Sequence, residues 1–212
     1  LEDIVNDETQ DLELTGRLTL IENMIAEGRR TTTSWGWSAV LWGVAFYVAI
    51  AWSSGMFGGA IWGQHYMAWP VTMVATWLLN WGLAARMRRG AKAPMTTVAR
   101  AIISIWAAMG FSMFALLFPL GLSGRADQQV CVAVVATLLG TANAASGMLL
   151  KWKAQIACAV LWWLAASASL FGTATQSLIA FLVAIFICQI AFGIYAMICE
   201  SRAQRSQGAV HA

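Results

Sequence analysis

Charge is what this sequence has least of. Of its 212 residues, 11% are Asp, Glu, Lys or Arg, while 59% are apolar. Soluble domains carry about a quarter charged residues, so an ordinary water-soluble enzyme is excluded. Disorder is excluded by the same balance, because disordered chains are poor in apolar side chains and rich in charge. The shortage is complete in six long stretches, 34–54, 66–85, 101–120, 130–150, 154–172 and 177–199, none of which contains an acidic or basic residue. Ionisable groups within a membrane are the usual marks of pumps and relays. Their absence removes the carrier of a carboxylate-driven ion pump, the lysine of a retinal Schiff base and the aspartates of an intramembrane protease. Histidine occurs twice, as His65 and His211, so a buried haem has no pair of axial His ligands. No HExxH zinc motif is present, and the Gly-rich loop 53–63 lacks the GK[ST] ending of a phosphate loop. The four cysteines, Cys131, Cys158, Cys188 and Cys199, form no CxxC pair and read as small apolar residues rather than ligands. No metal or cofactor is expected.

What is present is length and apolarity. A helix needs about 20 mostly apolar residues to cross the hydrocarbon core, and each of the six stretches supplies them. Helices satisfy their own backbone within lipid. A β-barrel would show alternating polarity, which the run 179–187 (IAFLVAIFI) does not. The expected fold is all-α, a polytopic transmembrane bundle of six spans preceded by an N-terminal cytoplasmic amphipathic helix. Residues 1–33 form the acidic helix and its linker, 34–200 the six-helix transmembrane domain, and 201–212 a cytoplasmic tail. Pro70 and Pro119 stand near span ends, so broken transporter-type helices are not signalled.

The cations then set the threading, because Lys and Arg accumulate in cytoplasmic loops. With six spans, twelve of the 13 basic residues fall on one side: Arg17, Arg29, Arg30, Arg86, Arg88, Arg89, Lys92, Arg100, Lys151, Lys153, Arg202 and Arg205. Arg125 alone falls on the other. Both termini are therefore expected in the cytoplasm. The first 30 residues are too acidic to read as a cleavable signal peptide.

Residues 1–30 hold eight acidic residues against three Arg. Leu14, Leu18, Ile21 and Ile25 recur at i, i+4, i+7 and i+11, one helical stripe, which predicts an amphipathic helix over 11–25. Interfacial helices normally carry Lys and Arg on the polar face. An acidic one is repelled by anionic lipid and points to a protein contact. The expected contact is the chain's own cytoplasmic face, with the basic loop 86–92 as one option, or a second copy or partner subunit, with plain lipid contact as the remaining alternative.

Twelve Trp are present. Seven of them (Trp35, Trp37, Trp52, Trp62, Trp69, Trp81 and Trp152) sit near expected interfaces, where aromatic belts form. Trp42, Trp77, Trp106, Trp162 and Trp163 lie deeper. They either face lipid or line a pocket for an apolar ligand. Asn80, Asn143 and Gln189 are the deepest polar residues and suit either a substrate or a neighbouring helix. The candidate ligand set is Trp77, Asn80, Trp106, Asn143, Trp162 and Gln189. On the outer face, His65 and Asp127 are the polar candidates for a metal contact, pH sensing or surface chemistry. Small residues line the fourth stretch (Gly140, Thr141, Ala144, Ala145, Gly147) and the fifth (Ala154, Ala157, Ala165, Ala168, Gly172), which predicts close packing of these two spans.

A polar N-terminal helix (LIENMIAEGRR, 20–30), a Trp/Gly-rich first span (SWGWSAVLWGV, 34–44), the run LLGTANAASGM (138–148) and the closing FGIYAMICESR (192–202) occur in this order. In that order the chain resembles small bacterial inner-membrane proteins of six spans whose role is uncharacterised. The resemblance implies an inner-membrane location and brings no site residues with it. Three functions follow as expectations. The first is a non-enzymatic scaffold, regulatory or accessory subunit. The second is a small permease or binding protein for an apolar or neutral ligand. The third is a surface enzyme using His65 with Asp127. The lipid bilayer is the expected surrounding, and nothing points to nucleic acid.

Overall fold

The computed structural model describes residues 14–20, 22, 36–55, 67–88, 97–123 and 127–210. Ile21, Ile25, His65, most of the Gly-rich loop and most of the basic loop lie outside the described residues. Every regular element among them is helical. We number them α1 (Gly36–Ser53), α2 (Ala68–Arg88), α3 (Thr97–Leu122), α4 (Gln128–Leu149), α5 (Lys153–Phe171), α6 (Ala174–Ile185) and α7 (Phe192–Val210), with a π-helical turn, Phe186–Ala191, joining α6 to α7. Residues 14–20 are also helical.

Five segments are long and apolar enough to cross a membrane: Gly36–Ser53, Thr97–Leu120, Gln128–Leu149, Lys153–Phe171 and Ala174–Arg202. The all-helical membrane class expected from composition therefore holds. The count differs from the expected six, because α2 is not among the five. Its 21 residues suffice in length. Its apolarity is diluted by Pro70, three Trp, Asn80, Arg86 and Arg88.

The core is assembled from α1, α4, α5, α6 and the π turn. Phe46, Val135, Leu139, Trp162, Phe181 and Ile185 are buried together there. Phe181 packs edge-on to Phe46 (centroids 5.9 Å apart) and against Trp162 (5.7 Å), geometry that aromatic quadrupoles favour. A smaller cluster of Ile102, Leu150, Trp152 and Ala196 closes the end that holds the α4–α5 turn.

Helix association is set by small residues. A Cβ on Gly36 would lie 2.5 Å from the Gly193 carbonyl oxygen, and one on Gly193 would lie 2.6 Å from the Gly36 oxygen. The α1 and α7 backbones thus touch directly. Gly43 seats Gln189 and Ile190 in the same way. The α4–α5 hairpin is the most extensively packed pair, as expected from its small residues. A Cβ at Gly140 would meet the Trp163 ring at 2.6 Å, and one at Gly147 would meet Ile156 at 2.8 Å. The face of α5 is rotated from the expected one, however. Gln155, Cys158, Ala159, Trp162, Ala165, Ala166 and Ser169 are buried, whereas Ala157 and Ala168 are exposed. The bulky Trp162 fills the core, and Ala159 is the small residue that lets Gly140 approach.

The connections are short and hydrogen-bonded. Between α4 and α5, Lys151 adopts φ 49°, and the Trp152 N–H donates to the Gly147 carbonyl (2.9 Å). Between α5 and α6, Thr173 and Gln176 form a reciprocal capping box. The π turn inserts one residue into the last rod. The buried residues of this rod are Ser177, Phe181, Ala184, Ile185, Cys188, Gln189, Gly193 and Ala196. Without that step Gly193 would turn away from Gly36.

These contacts give a directional test. Gly193→Ala is expected to lower the thermal midpoint in detergent, at a cost of about 1–3 kcal/mol for overpacking a close helix contact. Gly82→Ala, where nothing lies within 4 Å of the new methyl, is expected to leave it unchanged. Fluorescence-detected size exclusion after heating measures both.

Candidate functional site

The six residues expected to bind a ligand do not converge on one cavity. Trp77 is 57% exposed on the outside of α2. Asn80, also on α2, accepts a hydrogen bond through Oδ1 from the Ser38 hydroxyl (2.7 Å), which ties α2 to α1. Trp106, on α3, is half-buried and packs against both core clusters. Asn143 is buried on α4, and its Nδ2 donates to the Leu139 carbonyl one turn back (2.9 Å). Trp162 is fully buried against Phe181. Gln189 is buried in the π turn with its Cβ against Gly43. Asn80 thus makes a contact between helices and Asn143 one within its own helix, while Trp162 and Gln189 fill packed interior positions.

The outer-face candidates divide. His65 lies outside the described residues. Asp127 is the N-cap of α4, and its Oδ1 accepts the Val130 N–H at 3.0 Å. Capping of this kind satisfies an otherwise unpaired backbone donor and accounts for the carboxylate without chemistry.

Several polar residues passed over in the sequence hold the bundle together. The Tyr47 phenol donates to the Leu182 carbonyl (2.7 Å) beside the π turn. Gln129 Nε2 donates to the Ser169 and Gly172 carbonyls (3.2 and 2.6 Å), clamping the start of α4 to the end of α5. Only the capping box, with its Thr-x-x-Gln spacing, carried a sequence signature. Gln129 and Tyr47 carried none, because their acceptors are backbone carbonyls brought near by folding.

The buried thiols of α5 and the π turn adjoin: Cys188 Sγ lies 3.5 Å from the Cys158 carbonyl oxygen. All four cysteines are free. Among the described residues no three His, Cys, Asp or Glu side chains gather as a metal-binding group. Ser146 Oγ, Gln155 Oε1, Trp162 Nε1 and Ser177 Oγ are buried without hydrogen-bond partners. They are spread along the bundle, Ser146 and Gln155 near the α4–α5 turn and Ser177 at the start of α6.

The remaining feature is at the surface. A shallow, open depression of about 350 Å³ lies along one face of α7, at Ile194, Met197, Ile198, Ser201 and Arg202. At residues 14–20 every side chain is exposed, including Leu14 at 54% and Leu18 at 62%. These two leucines belong to the stripe expected to contact protein.

No protein-family model, no curated protein and no solved structure matches this chain.

The Ser38–Asn80 bond sets the second test. Ser38→Ala and Asn80→Ala are each expected to destabilise the bundle, with a coupling energy of about 0.6 kcal/mol in a double-mutant cycle, the usual size for a polar contact between membrane helices. Additive losses would show that the two side chains act separately.

Proposed function

We propose that this protein is a non-enzymatic scaffold, regulatory or accessory subunit of the bacterial inner membrane, with six spans and both termini in the cytoplasm. The observation that carries the reading is the use made of interior polarity. Asn80, Tyr47 and Gln129 bond neighbouring helices, and Asn143 bonds its own helix. A carrier needs polar groups turned toward a passage. Here those with partners are turned toward other backbone or side-chain groups. The exposed Leu14 and Leu18 supply contact surface of the kind a subunit requires.

Charge supports α2 as the sixth span. With α2 crossing, the basic residues divide twelve to one. With α2 lying outside the bilayer, the loop 86–100 and everything after it would exchange sides, and the division would become nine to four. The positive-inside rule favours the first arrangement. The bond from Ser38 to Asn80 also gives α2 a polar attachment to α1, worth about 0.6 kcal/mol in lipid.

Two measurements test the reading. Reporter fusions ending after Lys92 and after Arg125 are expected to report cytoplasm and periplasm respectively; a periplasmic signal at Lys92 would remove α2 from the spans. Native mass spectrometry after mild detergent extraction is expected to show a stoichiometric partner subunit or a homo-oligomer. A protein recovered only as an isolated monomer would overturn the subunit assignment.

A further inference from the structure

The four cysteines stand far apart in sequence, and the fold brings two of them together. Helix α5 and the last rod lie side by side in opposite directions. Trp152 packs on Phe192 (centroids 4.9 Å apart) near the α4–α5 turn, and Trp162 packs on Phe181 (5.7 Å) deeper in the bundle. Cys158 of α5 and Cys188 of the π turn fall between these two contacts. The Cys188 thiol donates to the Cys158 carbonyl at 3.5 Å, and the two side chains are close enough to hydrogen-bond each other. Direct neighbourhood of this kind is the first requirement of a disulfide. Both residues are buried, at 7% and 2% exposure, whereas Cys131 and Cys199 are half-buried on other helices.

The surroundings decide what such a pair does. None of the six apolar stretches carries an acidic or basic residue. A standing thiolate therefore puts an unpaired charge into an apolar core, at a large desolvation cost. Structural metal sites of the zinc kind need four ligands, and among the described residues no third His, Cys, Asp or Glu joins the pair. A disulfide avoids both demands, because it is neutral and needs only the two sulfurs. Access is from lipid. Cys158 and Cys188 lie within candidate spans, and their sequence neighbours Ala157 and Ile187 are exposed. The pair thus sits one residue inside a lipid-facing seam. A water-soluble oxidant must enter the apolar span to meet it; a lipid-soluble one is already there.

We propose that Cys158 and Cys188 are a redox pair, oxidised within the bilayer by a lipid-soluble quinone to a disulfide that staples α5 to the π turn. One S–S bond forms and two S–H bonds break. The two electrons and two protons pass to the quinone, which leaves as quinol, so no charge stays behind in the core. The staple joins positions 30 residues apart and encloses the α5–α6 turn. It holds the π turn in the register that sets Gly193 against Gly36, and so makes the last rod responsive to the redox state of the membrane. The proposal stands apart from the subunit reading, since it concerns the covalent state of one chain and not its assembly.

Duroquinone, whose fully methylated ring resists thiol addition, tests this on the full chain in liposomes of neutral lipid. After treatment, denaturation and alkylation, two of the four free thiols are expected to escape alkylation, with a mass lower by two hydrogens and a linked Cys158–Cys188 peptide. Oxidised glutathione at the same concentration is expected to leave all four open to alkylation. Cys158→Ala and Cys188→Ala, made separately and checked for folding by size exclusion, are each expected to keep every remaining thiol. Joint Cys131→Ala and Cys199→Ala substitution is expected to leave the link intact. The thermal midpoint is expected to rise on oxidation only where the link is present. Retention of all four thiols after duroquinone would overturn the proposal. So would a quinone adduct, links through Cys131 or Cys199, links between chains, or equal oxidation by the two reagents.

Discussion

Helices in lipid gain little by exchanging lipid contacts for contacts with one another, since both surroundings are equally apolar. Association must come from close approach and from polar bonds. This chain obtains close approach at glycine. The mutual contact of Gly36 and Gly193 brings two helix backbones together, and Gly43 admits Gln189 and Ile190 on the same face of α1. Gly140 and Gly147 do the same between α4 and α5. Remove these contacts and only the inter-helix bonds of Asn80, Tyr47 and Gln129 distinguish this arrangement from any other bundle of apolar rods.

The π turn follows from that constraint. The last rod must present Cys188 to α5 and Gly193 to α1, and a regular helix carrying both would lose register between them. One inserted residue rotates the stripe and serves both neighbours. Six residues at an i→i+5 spacing weaken backbone geometry locally. The Tyr47 phenol bonds the Leu182 carbonyl just before the wide turn and braces it from α1. Local irregularity is thus compensated by a side chain from the helix that needs the irregularity.

Much of this was legible in the residues, for stated reasons. Helix type and five of the expected spans follow from uninterrupted apolar runs, and tight α4–α5 packing follows from Gly140 and Gly147. The rotation of α5 was not legible. Its alanines lie on more than one side, and which side is buried depends on where Trp162 fits. The π turn left no mark, because one inserted residue does not disturb a run that is apolar on every face. Asp127 read as a chemical candidate, although a carboxylate three residues before the Val130 amide is also an N-cap pattern. Asn143 is buried and Asn80 half-buried. Their partners, the Ser38 hydroxyl and the Leu139 carbonyl, depend on geometry that no spacing encodes for Asn80 and on a same-helix option that spacing leaves open for Asn143.

The distribution of charge and burial places specificity at the edges of the bundle. Helix α3 has only 6% of its span window buried, against 56% for α4, and its outer face carries Phe111, Phe114 and Phe118. Such a face distinguishes poorly among lipids and apolar helices. The charge-bearing ends of the chain can discriminate. Residues 1–30 carry a net charge of −5, so the rest of the chain carries +8 within a total of +3. At physiological ionic strength charges are screened beyond about 8 Å. The asymmetry therefore acts only between groups held close together, and opposite charge on separate molecules is a weak and salt-sensitive attraction.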